Sequence, residues 1–171
     1  MVFIDESSAR TNLTRLHGRC KGTGRLHDHT PTSHWRTMTM LGSLRLDGQT
    51  SCLVIEGPTD SDVFREYVRQ VLAPTLREGD IVICDNLGAH RDAQAQKLIE
   101  DRGAQLVFLP AYSPDLNPIE MMWSKVKAYL RQVKARTDES LLAAIAEGLA
   151  RVSATDSQGF FRHAGYVCTI C

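Results

Sequence analysis

Short apolar runs alternate along the chain with segments in which apolar residues recur at helical spacing. The short runs predict strands, because uninterrupted apolar stretches between turn residues are typical of buried strands. Strands are predicted at residues 1–4, 37–46, 50–55, 81–84 and 105–109. An Asp47-Gly48 step separates the second run from the third, which predicts a hairpin.

Segments with apolar residues three or four positions apart predict helices. They lie at about residues 61–76, 91–102, 118–133, 138–152 and 158–163. Thr59 or Ser61 is expected to cap the first helix, and Asn117 the third, with Pro118 in its first turn. The inward faces of the third and fourth helices are predicted to include Ile119, Met122, Trp123, Val126, Leu130 and Val133, and Leu141, Leu142, Ile145 and Leu149.

The order of these elements predicts the fold class. A hairpin followed by alternating helices and strands indicates an α/β protein with a mixed sheet covered on both faces. This arrangement is similar to the ribonuclease H-like fold, with five strands. The length of 171 residues suits a single domain over residues 1–171. Residues 7–36 are expected to be irregular, apart from a short strand near Leu13 to His17.

Composition narrows the class of protein. Hydrophobic residues make up 43% and charged residues 23%, and the formal net charge is zero. Attraction to nucleic acid must therefore come from local patches. No apolar run approaches the roughly 18 residues of a membrane span. Five scattered cysteines favour a reducing cytosol over a disulfide framework, and the CxxC of Cys168 and Cys171 is interpreted as a free tail, with zinc or redox chemistry as the alternative.

Two segments are locally basic. Residues 7–36 hold six arginine and lysine residues against one acid, Asp28, and would either follow a phosphate backbone or form a solvated loop. Histidines near Asp28 have zinc-ligand chemistry without a recognised ligand spacing. In the third helix no acid occurs between Met121 and Arg136. The side opposite its apolar stripe carries Lys125, Lys127, Arg131, Lys134 and Arg136.

Three carboxylates occupy the ends of predicted elements. Asp5 ends the first strand, Asp85 ends the fourth, and Glu120 lies in the first turn of the third helix. Ligands of open α/β sheets gather at strand ends, and carboxylates can hold two magnesium ions about 3.5–4 Å apart for phosphodiester cleavage. We therefore expect the three acids to converge.

Each acid also has a structural alternative. Asp5 could be a surface strand end, with Glu6 as the ligand in its place. Asp85 could form a turn with Asn86. Glu120 stands three residues after Asn117, where a capping-box residue would bind a backbone amide.

The residues around the acids resemble the catalytic core of DDE transposases. The run Asp85-Asn86-Leu87-Gly88-Ala89-His90 and the segment LPAYSPDLNPIE, residues 109–120, are similar to those of bacterial insertion-sequence relatives of mariner elements. In that family the second and third acids are separated by 34 residues, as they are here. The opening Phe3-Ile4-Asp5-Glu6-Ser7 resembles the first motif of the family, and residues 160–166 resemble its ending.

The resemblance implies a two-step reaction on DNA. Asp5, Asp85 and Glu120 would bind two Mg²⁺ or Mn²⁺ ions. Water would hydrolyse the phosphodiester at a transposon end, and the freed 3′-hydroxyl would attack target DNA at a TA step. Asn86 and His90 match the motif and would orient a ligand or touch phosphate, with helix capping by Asn86 and a surface position for His90 as alternatives. Lys125, Lys127, Arg131 and Lys134 are expected to contact DNA.

The resemblance also implies partners. Members of the family carry an N-terminal helix-turn-helix region that recognises transposon ends, whereas this chain opens on the first catalytic strand. The expected partners are transposon and target DNA, a DNA-binding polypeptide or reading frame supplied separately, and a second copy of the chain on DNA, in the bacterial cytoplasm and associated with the nucleoid. Two other hypotheses are a general ribonuclease H-like nuclease or resolvase, which the proline-rich loop and the spacing disfavour, and a non-catalytic DNA-binding or dimerisation remnant.

Overall fold

A mixed five-stranded sheet lies at the centre of the molecule, which we describe over residues 1–166 from a computed structural model. Its strands are β1 (Val2–Arg10), β2 (Thr37–Arg45), β3 (Thr50–Glu56), β4 (Ile81–Cys84) and β5 (Gln105–Phe108). Their spatial order is β3-β2-β1-β4-β5. The first three strands pair antiparallel, whereas β4 lies parallel to both β1 and β5. The predicted ribonuclease H-like fold is confirmed.

Within residues 1–166, five α-helices cover the sheet: α1 (Ser61–Tyr67), α2 (Ala93–Glu100), α3 (Ile119–Val133), α4 (Asp138–Ala150) and α5 (Ala154–His163). Helix α1 continues as a π turn over Val68–Leu72 and a 3₁₀ turn over Ala73–Thr75. Pro74 lies within the 3₁₀ turn and has no backbone N–H to donate to the preceding turn, so a regular α-helix does not continue through it. Asp60 caps α1, so the predicted cap at Thr59 or Ser61 was wrong.

The hairpin between β2 and β3 forms where it was predicted. Gly48 has a φ of +86°, a conformation that glycine adopts without a steric penalty. The carboxylate of Asp47 accepts a hydrogen bond from the backbone N–H of Gln49 at 3.0 Å. The hairpin matters for function because β2 then pairs along the whole of β1, which carries Asp5.

Apolar side chains pack on both faces of the sheet. Alternate residues of β1 point to opposite faces, so Phe3 joins the cluster under α3, α4 and α5, whereas Val2 and Ile4 join the cluster under α1 and α2. Each fully buried large side chain contributes roughly 1.5–3 kcal/mol of transfer free energy. The first cluster includes Leu44, Met122, Trp123, Leu141 and Phe161, and the second includes Phe64, Leu72, Val82 and Ile99.

Several predicted boundaries differ from the structure. No strand forms at residues 13–17, and the described segment 12–35 contains neither helix nor strand. Its side chains are almost all exposed, so no buried face specifies a strand register. Val133 and Leu142, predicted to face inward, are 42% and 43% exposed. Helix α5 begins earlier than predicted, because Ser153 and Asp156 form a capping box.

The structure bears on the predictions about membrane spans and cysteines. Within residues 1–166, no helix has both the length and the apolar character needed to cross a bilayer. Cys20, Cys52 and Cys84 are free thiols. Cys168 and Cys171 lie outside the described residues.

Candidate active site

Strand pairing brings Asp5 and Asp85 to the same level of the sheet, just past the end of β4. Asp5 does not end its strand, contrary to prediction, because β1 continues to Arg10 through its pairing with β2. Phe3 of β1 is paired with Ile83 of the parallel strand β4. Asp5 comes two residues after Phe3, and Asp85 two residues after Ile83. The two acids therefore lie at the same level of the sheet and point to the same face. That face is the one covered by α3.

Helix α3 adds the third carboxylate from above this level of the sheet. Its buried face rests on the sheet through Ile119, Met122 and Trp123, which leaves Glu120 exposed in the first turn. The close packing of α3 on the sheet depends on Gly42, the residue of β2 that pairs with Asp5. A Cβ atom on Gly42 would lie 2.8 Å from Cη2 of Trp123. The missing side chain therefore allows Trp123 to lie against the strand next to Asp5.

The three acids line one cavity of about 390 Å³. Its remaining walls come from the turn after β4 and from the loop between β5 and α3: Asn86, Leu87, Leu109, Pro110, Ala111, Tyr112, Ser113, Pro114 and Asn117. Glu6 is not among the lining residues, which favours Asp5 over Glu6 as the functional acid of β1. The predicted convergence is therefore present at the level of a shared cavity.

The loop before Glu120 is tied to Tyr166, which follows α5. Tyr166 packs edge-on against Phe3, with ring centroids 5.0 Å apart, and its hydroxyl donates to the backbone carbonyl of Leu116 at 2.8 Å. Asn117 does not cap α3, contrary to prediction: the N-cap position is Pro118 and no side-chain cap is present. The capping-box alternative for Glu120 consequently has no support.

Asp5 is a buried carboxyl among like charges. It is only 6% exposed. Burial, followed by the neighbouring charges of Glu120 and Asp85, raises its pKa from 3.8 to about 7. Its Oδ2 atom has no hydrogen-bond partner within the described part of the chain. A buried carboxylate oxygen without a donor is the kind of atom that a hard divalent cation would satisfy.

In contrast to Asp5, Asp85 has a lowered pKa, because His90 forms a hydrogen bond with its carboxylate. The Oδ1 atom of Asp85 lies 2.6 Å from Nδ1 of His90 and 3.1 Å from the backbone nitrogen of Leu87. The hydrogen bond from His90 lowers the pKa of Asp85. His90 is completely buried and packs on Phe64, with ring centroids 4.5 Å apart. It is therefore not a surface residue, and its position fixes the orientation of Asp85.

The carboxylates of Asp5, Asp85 and Glu120 do not form a complete set of metal ligands in this structure. Among residues 1–166, no three His, Cys, Asp or Glu side chains are close enough together to hold a metal ion. This finding applies to the three acids and equally to the histidines near Asp28, whose carboxylate instead accepts a hydrogen bond from Nζ of Lys134 at 2.5 Å. The carboxylate side chains of the cavity are of the type that Mg²⁺ and Mn²⁺ prefer.

The other residues predicted to contact nucleic acid divide into two groups: those that already have a partner within the protein, and those that have no ion pair. Lys125 forms an ion pair with Asp156 at 2.5 Å and Lys134 pairs with Asp28. Arg136 donates to the backbone carbonyl of Thr11 at 2.7 Å and to that of Leu13 at 3.0 Å, so it fixes the start of the irregular segment. Asn86 lines the cavity, and its Oδ1 accepts two hydrogen bonds from Arg91 rather than capping a helix.

Lys127 and Arg131 form the second group. Neither has an ion pair within residues 1–166. Lys127 lies close enough to Glu120 and Asp5 for their charges to act on it, although burial outweighs them and lowers its pKa. Positions 120, 127 and 131 fall on one side of a helix with 3.6 residues per turn. A cationic side chain thus borders the acidic cavity.

Comparison with known families agrees with this geometry. A model of the DDE superfamily endonucleases matches residues 1–142. The chain belongs to the DDE superfamily of endonucleases. Among curated protein sequences, none is significantly similar to it.

Solved structures share the fold of this DDE endonuclease domain. The Mos1 transposase paired-end complex with left transposon end has a TM-score of 0.72 at 17% identity, over 94% of this chain and 51% of that chain. The mariner Mos1 paired-end complex with Mg gives 0.68 at 16% identity, over 95% and 50%. The catalytic domain of Mos1 mariner transposase gives 0.62 at 14% identity, over 94% and 74%. The DDE endonuclease chain thus spans about half the length of the full Mos1 chains.

Proposed function

We propose that this chain is the catalytic domain of a transposase, which cleaves DNA strands at transposon ends and transfers them to target DNA. The observation that carries the proposal is the shared cavity of Asp5, Asp85 and Glu120, three acids from three different elements. Membership of the DDE endonucleases and the fold shared with Mos1 support it. The motif that runs from Tyr112 to Glu120, with its spacing from Asp85, favours the bacterial insertion-sequence relatives of mariner.

The three acids are the proposed ligands of two Mg²⁺ or Mn²⁺ ions. Mos1 has been solved with Mg and with Mn. When bound, such ions supply charge stabilisation at the phosphate and lower the pKa of water. Asp5 provides a buried oxygen without a partner, Asp85 is oriented by His90, and Glu120 approaches from α3. A cation would offset the like-charge repulsion of Glu120 and Asp85 on Asp5.

DNA is the proposed partner, and its backbone would pass Lys127 and Arg131. Both lie on the side of α3 that carries Glu120, and a phosphate needs a cationic contact that is not already neutralised by an ion pair. Asn86 contributes its amide nitrogen to the same cavity, since its oxygen is occupied by Arg91. Lys125 and Lys134 would act at longer range, because each already has a carboxylate partner.

The remaining partners follow from the same proposal. Residues 1–171 would act as one catalytic domain, and recognition of transposon ends would come from a DNA-binding segment or polypeptide. Joining two ends to one target requires two active sites, so we expect a pair of chains on DNA.

Metal-dependent nicking tests the proposal. Supercoiled plasmid is incubated with the chain in Mg²⁺, Mn²⁺ or EDTA, and nicked circles are counted on a gel. We expect nicking in either metal and none in EDTA. Asp85→Asn and Glu120→Gln should each lower the rate at least about a hundredfold, since each removes several kcal/mol of charge stabilisation. Asp115→Asn, an exposed acid of the same loop that does not line the cavity, is the matched control.

Two outcomes would contradict the proposal. Nicking that survives Asp85→Asn would locate the chemistry elsewhere. Absence of nicking, together with no heat of Mn²⁺ binding in calorimetry, would leave a non-catalytic DNA-binding remnant as the better interpretation.

A further inference from the structure

The cavity has walls of two different kinds. One wall carries the carboxylates of Asp5, Asp85 and Glu120. A second part of the lining, the apolar wall, comes from the loop after β5 and the turn after β4: Leu87, Leu109, Pro110, Ala111 and Tyr112. Metal ions and a phosphate need only the first wall. The volume of about 390 Å³ leaves room for a larger organic group beside them.

Tyr112 is the unusual member of the apolar wall. Its side chain is fully exposed, and it is more exposed than any other large hydrophobic residue described. The hydroxyls of Tyr67, Tyr129 and Tyr166 all make hydrogen bonds, with Ser51, Glu147 and Leu116. The hydroxyl of Tyr112 has no partner among residues 1–166. Its ring therefore adds nothing to the packing of the domain.

The backbone of Tyr112, a residue that lines the cavity, has an unusual conformation. Tyr112 has a φ of +56°, in the left-handed region that residues with large side chains seldom adopt. Strained conformations of this kind persist where surrounding structure imposes them, often at ligand-binding sites. Pro110 and Pro114 restrict the chain on either side. The backbone that carries this exposed aromatic ring is thus restrained beside the acidic site.

We infer that Tyr112 is a stacking platform for an unpaired nucleobase of the DNA strand whose phosphate lies among Asp5, Asp85 and Glu120. The inference rests on the proposed function, because that function places a DNA strand in the cavity. Every base has a π-face, so an aromatic side chain can hold a base of any sequence. The phosphate faces the acidic wall, through cations, and the base faces the apolar wall. A base next to the reacting bond must leave the duplex stack to reach the ring.

Fluorescence of a base analogue tests the stacking directly. The probe is a DNA duplex with a short single-stranded 3′ overhang that contains 2-aminopurine, whose emission falls when it stacks. Titrations use the whole chain in Ca²⁺, a hard cation that takes the same oxygen ligands. We expect quenching with the unaltered chain and with Tyr112→Phe, which keeps the ring. Tyr112→Ala should abolish the quenching and weaken binding about 5- to 100-fold.

Two controls separate stacking from general damage. Leu142→Ala removes an exposed apolar side chain that does not line the cavity, and it should leave binding within twofold. Tyr112→Asn suits the left-handed backbone, so its melting temperature should not fall although stacking is lost. An overhang with abasic sites should bind the unaltered chain and Tyr112→Ala equally.

The outcomes distinguish this inference from the proposed function. Metal-dependent nicking without any effect of Tyr112→Ala on quenching or affinity overturns the inference and leaves the function standing. Quenching that depends on Tyr112 without any nicking supports the inference and counts against the function. A chain that does not bind the overhang at all overturns both.

Discussion

At the scale of single residues, the pKa values of two neighbouring carboxyls of the site, Asp5 and Asp85, are shifted in opposite directions. Burial and the charges of Glu120 and Asp85 raise the pKa of Asp5 to about 7, whereas the hydrogen bond from His90 lowers the pKa of Asp85. Asp85 is thus kept ionised, and Asp5 can lose its proton easily only when a cation compensates the new charge. The difference prepares the site for metal binding near neutral pH.

Asp5 should make the metal-free protein less stable as pH rises. Its carboxyl has a pKa of about 7 when folded and near 3.8 when unfolded, so the folded state binds more protons between those values and stability falls with rising pH. Asp5→Asn should remove this loss, which is on the order of a few kcal/mol. Urea unfolding of both proteins at pH 4.5 and pH 8 in EDTA measures it.

Magnesium provides the control for this prediction. Added at pH 8, it should stabilise the unaltered chain, because a ligand that binds only the folded state raises the free energy of unfolding. It should have no such effect on Asp5→Asn. Parallel pH profiles for the two proteins would show that Asp5 is not the titrating group.

His90 should act by positioning Asp85. His90→Phe keeps a ring against Phe64 but removes the donor, and we expect metal-dependent nicking to fall about 10- to 100-fold, as for other groups that orient a ligand. His90→Asn places an amide donor near the former Nδ1 and should recover most of the rate. Rates are compared well below the melting temperatures of both variants. Equal losses in the two variants would indicate that packing, rather than the donor, matters.

At the scale of elements, the site depends on how closely α3 lies on the sheet. Gly42 of β2 pairs with Asp5 and leaves space for Trp123 of α3. The same helix carries Glu120 one residue after its buried first position, Ile119. Any displacement of Trp123 is therefore transmitted to the distance between Glu120 and Asp5.

Gly42→Ala should test this coupling. The new Cβ would lie 2.8 Å from the ring of Trp123 and 3.0 Å from the backbone oxygen of Ser51. Overpacking of this kind costs about 1–3 kcal/mol, so we expect a lower melting temperature and slower nicking. Gly159→Ala, on α5 with open space around it, should instead stabilise the chain by up to about 1 kcal/mol. A normal nicking rate in Gly42→Ala would show that the site tolerates a larger distance between α3 and the sheet.

Hydrophobic patterning was sufficient to predict the sheet, the hairpin and the helices. It missed the second half of β1, because Glu6, Ser7 and Ser8 are polar and form a strand only through pairing with β2. It also missed the role of Gly42, since a glycine in an apolar run indicates only a weak strand position. These features depend on tertiary partners, which local periodicity does not encode.

The candidate site was predictable to a similar extent. Asp85 and Glu120 could be chosen because each stands at the end of an element, where strands and helices present ligands. Asp5 was chosen on the same ground, although β1 continues beyond it to Arg10. The burial of His90 could not, because a polar residue in a turn is usually exposed. The exposure of Tyr112 was equally hidden, since its left-handed backbone is normally a glycine position.

At the scale of the whole molecule, charge is distributed unevenly although the formal net charge is zero. Lys125 of α3 and Lys134, just after the helix, are paired with carboxylates. Lys127 and Arg131 have no ion pair within residues 1–166, and Lys127 lies near the acids of the cavity. Attraction to DNA should therefore be concentrated at the site rather than spread over the surface.

The salt dependence of DNA binding should reflect this distribution. Lys127→Ala and Arg131→Ala should each weaken binding uniformly across sequences and reduce the slope of log K against log salt by about 1, because each removes one phosphate contact. Lys125→Ala and Lys134→Ala are the matched controls and should change the slope less. Filter binding of a random-sequence duplex at several salt concentrations measures it. Equal slopes for all four variants would remove the distinction.

The bond from Tyr166 to the loop before α3 has a consequence for how the protein is made. Phe3 and Leu116 are both translated before Tyr166, which packs on Phe3 and donates a hydrogen bond to the carbonyl of Leu116. The loop is consequently secured only after Tyr166 has left the ribosome. A nascent polypeptide that ends before Tyr166 would hold its carboxylates without this contact, so we expect the proposed nuclease activity to begin only once Tyr166 has emerged.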